Sequence, residues 1–135
     1  MNLKLRLIAF LWMLTGLFLP GAFSQEPTVI EKITNAIQSA DASGLASSFN
    51  TSIDLLIPGN EGMYSNKQAE QIMKAFFKSN PVEKFTLDHQ GNSNDGSKYI
   101  IGTYKTTGGV SYMVYVLIKK SGNQEQLYEL RFEKE

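Results

Sequence analysis

Three glycine-bearing pairs, Asp95-Gly96, Gly108-Gly109 and Gly122-Asn123, limit how this chain folds more than any other feature. Each suits a tight hairpin turn, because glycine and asparagine accept the left-handed backbone that such turns need. The runs around them, at 83–92, 97–106, 110–120 and 124–134, are rich in β-branched and aromatic residues. Four strands joined by short turns make an antiparallel meander. In the third run almost every residue from Tyr112 to Ile118 is apolar. A strand that is apolar on both sides has to be covered on both sides.

Taking each turn as a two-residue loop sets the pairing by counting outward. Leu87 then faces Tyr104, Tyr104 faces Met113, and Met113 faces Phe132. One face collects His89, Gly102, Tyr115 and Leu130 beside Ile100, Leu117 and Tyr128, and is apolar enough to lie on helices. The Tyr115 ring would there cover the bare backbone of Gly102. The reverse face carries Ile101, Val114, Val116, Ile118 and Leu127. Three helices cannot cover both sides of a five-stranded sheet, so this second patch is expected to meet another molecule. A second copy of the chain, making a homodimer, is the first candidate.

The residues ahead of the meander are helical, with one strand. Val29, Ile30, Ile33, Ala36 and Ile37 recur at helical spacing over 27–39. Asp41 can cap a short second helix containing Leu45 and Phe49. A strand from Ile53 to Ile57 stops at Pro58-Gly59. Ser65 and Gln68 fit a capping box, and Ala69, Ile72, Met73, Phe76 and Phe77 form one helical stripe. Helices, a strand, a helix and a meander make an α+β domain.

The first 24 residues stand apart. Lys4 and Arg6 precede an apolar block from Leu7 to Leu19, followed by Ala22-Phe23-Ser24. A membrane-spanning helix needs roughly 17–25 residues, longer than this block. The pattern is that of a secretory signal peptide cut after Ser24, leaving one domain at 25–135. The expected location is exported, periplasmic or secreted, with no membrane association after cleavage. The leader holds two of the thirteen basic residues and none of the thirteen acidic ones, so the remainder carries a net charge of −2. That balance argues against nucleic acid as a partner. There is no cysteine, so neither disulfides nor thiolate chemistry contribute.

The phrases VIEKITNAIQSADASGLASSF, SIDLLIPG and YSNKQAEQIMKAFFKSNP, ahead of a meander, resemble the nuclear-transport-factor-2-like superfamily. The resemblance includes its SnoaL-like and ketosteroid-isomerase-like members. More narrowly, the chain is similar to a family of small exported bacterial proteins classed as a domain of unknown function. The resemblance covers about residues 26–135. It implies a cystatin-like cone, in which a curved, mostly antiparallel sheet wraps the long helix around a ligand-binding cavity. It also implies a homodimer through the outer sheet face. Members range from isomerases and dehydratases to non-catalytic binding domains, and no catalytic residue transfers.

His89, the only histidine, could exchange protons with a ligand inside such a cone, in an isomerase-like or dehydratase-like reaction with Tyr104 or Tyr115 as donor. A lone histidine without an orienting carboxylate more often sits half exposed at a strand end, bonded to backbone or water. Tyr64, Tyr104, Tyr115 and Tyr128 could place polar tips on apolar walls, suiting a small amphipathic molecule, or could close the rim. Asp54, Glu61, Asp88 and Asp95 lack metal-ligand spacing, and Gly59-Asn60-Glu61-Gly62 lacks the phosphate-cradling lysine. No cofactor is expected. The leading expectation is an exported non-catalytic module that binds itself or a partner, and the alternative is an enzyme using His89.

Overall fold

The computed structural model describes residue 21 and residues 25–135. The signal peptide expected at 1–24 therefore lies, but for Gly21, outside the described residues. The elements run α1 (Val29–Gln38), α2 (Ala42–Ala46), β1 (Phe49–Ile57), β2 (Asn60–Ser65), α3 (Asn66–Ser79), β3 (Val82–Asn92), β4 (Lys98–Thr106), β5 (Ser111–Ser121) and β6 (Gln124–Lys134). They form an α+β domain with one curved six-stranded sheet in the order β2-β1-β6-β5-β4-β3. β1 runs parallel to β6, and every other pairing is antiparallel.

Local chemistry sets the helix ends. Thr28 caps α1 and Ser65 caps α3, each in a reciprocal capping box with Glu31 and Gln68 respectively. Asp41 caps α2 by accepting from the Gly44 N–H at 3.0 Å. The helix expected over 27–39 thus starts two residues later, with Pro27 just outside the cap. Phe49 opens β1 rather than closing α2.

Pro58-Gly59 does not end the first sheet segment. It turns the chain into β2, pairing Ile57 with Asn60, so the sheet gains a sixth strand. Glycine suits the place, because Gly59 has φ +89°.

The meander departs from two-residue counting at two turns and three register shifts. Between β3 and β4, the Ser93 N–H donates to the Ser97 carbonyl at 2.8 Å, enclosing three residues. Between β4 and β5, the Thr106 N–H donates to the Val110 carbonyl at 2.8 Å, again enclosing three. Both loops place their last glycine in the left-handed region, Gly96 at φ +84° and Gly109 at φ +83°. Three-residue hairpin loops use glycine in this way. The third turn, Gly122-Asn123, is the two-residue loop expected, pairing Ser121 with Gln124. Register shifts between Val82 and Lys84 and between Leu87 and His89 on β3, and between Leu117 and Ile118 on β5 against β6.

One extra residue in a turn exchanges the faces of everything beyond it. Tyr104 consequently faces Tyr112, not Met113, and Val114 faces Phe132. Tyr112, Val114, Val116 and Ile118 turn inward and are buried. Met113, Tyr115 and Leu117 turn outward and are half-buried. The expected faces of β5 are thus reversed, while the later bulge returns Leu130 and Phe132 to the inside. Gly102 is covered by Phe85, whose ring lies 2.7 Å from where a Cβ would stand, and not by Tyr115.

α3 lies along the inner face. The Phe76 ring centroid is 4.9 Å from Phe132, 5.3 Å from Tyr112 and 6.1 Å from Tyr104. Asn80 ties the end of α3 to the same strands. Its carbonyl accepts from the Tyr104 hydroxyl at 2.7 Å, and its side-chain oxygen accepts from the Tyr112 hydroxyl at 3.0 Å. The Asn80 amide donates back to the Phe76 carbonyl at 3.0 Å. Each such bond is worth about 1 kcal/mol net, and leaving one buried partner unpaired costs more.

Burial, followed by the neighbouring Tyr112, pushes the Tyr104 phenol up to about 12 from 10.0. A raised folded-state value means that stability is fully present below the unfolded value and is lost as pH rises through that window. Wild-type stability, read by urea denaturation, should therefore fall between about pH 10 and about pH 12. Tyr104→Phe should show a shallower alkaline decline, at a cost of about 1 kcal/mol at neutral pH.

Candidate functional site

With the helices on the inner side, the outer face of the sheet is left open. A cleft lies at the open end of the inner side, and two smaller ones lie along α3.

Backbone register lays one continuous row across the outer face. Glu61 on β2 pairs with Leu56 on β1, which pairs with Arg131 on β6. Arg131 pairs with Tyr115 on β5, Tyr115 with Ile101 on β4, and Ile101 with His89 on β3. A neighbouring row runs Met63, Asp54, Glu129, Leu117 and Tyr99. No helix contributes to either row. Apolar and aromatic side chains lie at the centre, with Met63 left 66% exposed at one rim.

Arg131 anchors the centre. Its Nε and Nη2 both contact the Glu129 carboxylate, and its guanidinium lies 5.9 Å from the Tyr115 ring centroid. The Glu129 charge raises the Arg131 pKa further above its ordinary value, assisted by Asp54 and Glu133. Partial burial pushes the Tyr115 phenol up, with the Glu129 charge second. Around this pair lies a shallow hollow of about 280 Å³ lined by Ile101, Met113, Tyr115, Glu129, Arg131 and Glu133. Lys119 sits 5.6 Å from the Tyr128 ring.

The inner cleft, about 930 Å³, opens between the start of α1 and the sheet ends. Val29, Ile30 and Leu87 supply carbon surface; Gln90 and Gln126 supply amides. Lys98 and Glu125 form an ion pair across it at 3.0 Å. Such a pair, partly exposed on both sides, adds about 1 kcal/mol or less to stability.

The five cavity candidates do not converge. Tyr104 is fully buried and committed to Asn80. Tyr64 is half-buried on β2, opposite Ile53. Tyr115 is on the outer face, and Tyr128 is half-buried beneath Lys119. His89 is exposed and stands opposite Ile101, because the three-residue turn before β4 shifts the register by one place; the bulge beyond it returns Leu87 to the inner face opposite Gly102. The same bulge brings Asp88 to that side, where its carboxylate accepts from the Thr103 hydroxyl at 2.7 Å. The proton-transfer role considered for His89 required it inside the cone, beside Tyr104, and that premise is removed. None of the five lines the inner cleft.

Of the five dimer-face candidates, Ile101 is on the outer face. Val114, Val116, Ile118 and Leu127 belong instead to the core, all at 0–1% exposure. The outward residues of β5 are Met113, Tyr115 and Leu117. Sequence reasoning missed β2 and with it Met63 and the rim position of Glu61. The signal was present in Pro58-Gly59, which can turn a hairpin as well as stop a strand. Among the described residues, no three histidine or acidic side chains are grouped to hold a metal. No described helix is long and apolar enough to cross a membrane.

A family model for a domain of unknown function, DUF4783, matches residues 30–133. The chain belongs to the DUF4783 family. A DUF4783 protein of Bacteroides ovatus is 27% identical, with a TM-score of 0.73 over 82% of this chain and 97% of that one. One from Bacteroides uniformis is 26% identical, with a TM-score of 0.74 over 80% of this chain and 98% of that one. A nuclear-transport-factor-2-like protein of unknown function from Shewanella baltica is 10% identical, with a TM-score of 0.57 over 78% and 87% of the two chains. That last likeness bears on fold alone and establishes that this DUF4783 chain has the nuclear-transport-factor-2-like architecture. A search of curated proteins found no match.

The two faces of β5 can be told apart by charge insertion. Val116→Lys buries an ammonium in the core and should destabilise the domain by about 3 kcal/mol or more. Tyr115→Lys should change monomer stability by about 1 kcal/mol or less, because the new head reaches water. Chemical denaturation of both variants provides the comparison.

Proposed function

We propose that this DUF4783 protein is an exported, non-catalytic binding domain that works as a homodimer through the outer face of its sheet. The observation that carries this reading is the half-buried centre of that face, Ile101, Met113, Tyr115 and Leu117, with no helix over it. Aromatic and methionine side chains with an embedded arginine are the composition favoured at protein interfaces. A second copy is the partner at hand, and a two-fold contact needs one self-complementary patch.

The basic start, short apolar core and Ala-Phe-Ser exit support passage through a signal peptide to the periplasm or the medium. Room for a small amphipathic molecule lies in the inner cleft. There Val29, Ile30 and Leu87 would take its carbon skeleton, while Gln90, Gln126 and the Lys98–Glu125 pair would take its polar end.

Sedimentation of residues 25–135, which hold every described element and the core they form, should show a dimer at high concentration. Tyr115→Lys should sediment as a folded monomer. A wild-type protein that stays monomeric throughout the accessible concentration range would exclude the dimer. For export, N-terminal sequencing of protein recovered outside the cytoplasm should begin at Gln25; an intact Met1 would exclude cleavage.

A further inference from the structure

Aligned packing of two sheets face to face leaves a two-fold axis two directions, along the strands or across them. The charge pattern of the outer face separates these. We propose that the second copy is seated by a two-fold axis running along the strands between β5 and β6, so that Glu61 of each copy meets the partner's His89. This rests on self-association through the outer face and adds how the two copies are placed.

Rotation about that axis reverses the central row. Glu61 then lies over the partner's His89, Leu56 over the partner's Ile101, and Arg131 over the partner's Tyr115. A carboxylate meets an imidazole N–H, a branched aliphatic meets another, and a guanidinium meets a ring face. In the neighbouring row Asp54 reaches the partner's Tyr99, a phenol able to donate to it, while Glu129, already paired with Arg131 of its own chain, lies over the partner's Leu117. Every charged group in the central row gains a complementary neighbour.

The other direction fails at the same positions. With the axis across the strands along the central row, Glu61 lies over its own counterpart, Arg131 over its counterpart, and Glu129 over the partner's Glu133. Like charges opposed across an interface select against that arrangement. Twist rotates aligned sheets by about 30°, so the match is tightest beside the axis at Arg131 and Tyr115. The rim pair meets through longer reach.

The rim pair is nonetheless the sharpest reporter. Five strand spacings of about 4.8 Å put Glu61 and His89 of one copy roughly 24 Å apart, beyond a short linker. The chain has no cysteine, so introduced thiols react alone. Both positions are exposed, so substitution leaves the core intact. Glu61→Cys and His89→Cys proteins, treated with a short bismaleimide, should each give little covalent dimer separately. An equal mixture should give it readily.

A covalent dimer from Glu61→Cys alone would overturn this seating and leave self-association standing. So would a sedimenting dimer that never crosslinks. A wild-type monomer would overturn self-association and the seating with it. Charge exchange gives an independent reading. Glu61→Lys should weaken the dimer several-fold, and adding His89→Glu to the same chain should restore it. A double variant no tighter than the single one would also overturn the seating.

Discussion

The Phe76 ring decides which side of the sheet is inside. It packs edge-on against Phe132 and Tyr112 and near Tyr104, three rings on three adjacent strands. Alternation along each strand then leaves no freedom: with Tyr112 inward, Val114, Val116 and Ile118 follow, and Tyr115 is turned outward. Asn80 reinforces the choice by holding two phenols at the end of the same helix. The cone is filled at this end by aromatic side chains. Its open space is displaced towards α1, where the lining is amide, hydroxyl and ion pair.

The parts of this arrangement governed by local rules were legible in the sequence. The Ser65–Gln68 capping box and the Asp41 cap depend on side chains within three residues, and both stand where the pattern places them. Four meander strands appear at nearly the expected bounds, and the helical stripe through Met73 and Phe76 is buried. The superfamily resemblance carried the architecture. The face of β5 was another matter. Gly108-Gly109 is compatible with a two-residue or a three-residue loop, and the two differ by one position in register. Because β5 is apolar on both sides, its own composition cannot arbitrate between them.

The consequences for the site were unequal. Tyr104 and Ile101 keep their faces because β4 contains no bulge. His89 and Tyr115 exchange theirs, each through a three-residue turn, and the β3 bulge then returns Leu87 to the inside. Two residues proposed to face a ligand inside the cone become neighbours of Ile101 and Arg131 outside it. Bulges of this kind re-aim side chains without disturbing the strands that carry them. A histidine that loses its place in a cavity thereby becomes part of a surface.

The strand order has one more implication, for how the molecule is completed. β6 follows the other described strands in sequence, yet it lies third in the sheet, between β1 on one side and β5 on the other. Until it is in place, the β1–β2 hairpin and the β3–β4–β5 meander share no backbone ladder. A nascent or partly threaded chain therefore holds two unfinished half-sheets, each with a raw edge. Only arrival of the eleven residues of β6 welds them. Contacts far apart in the chain must therefore form before the sheet is continuous, and pairing of that kind is slow.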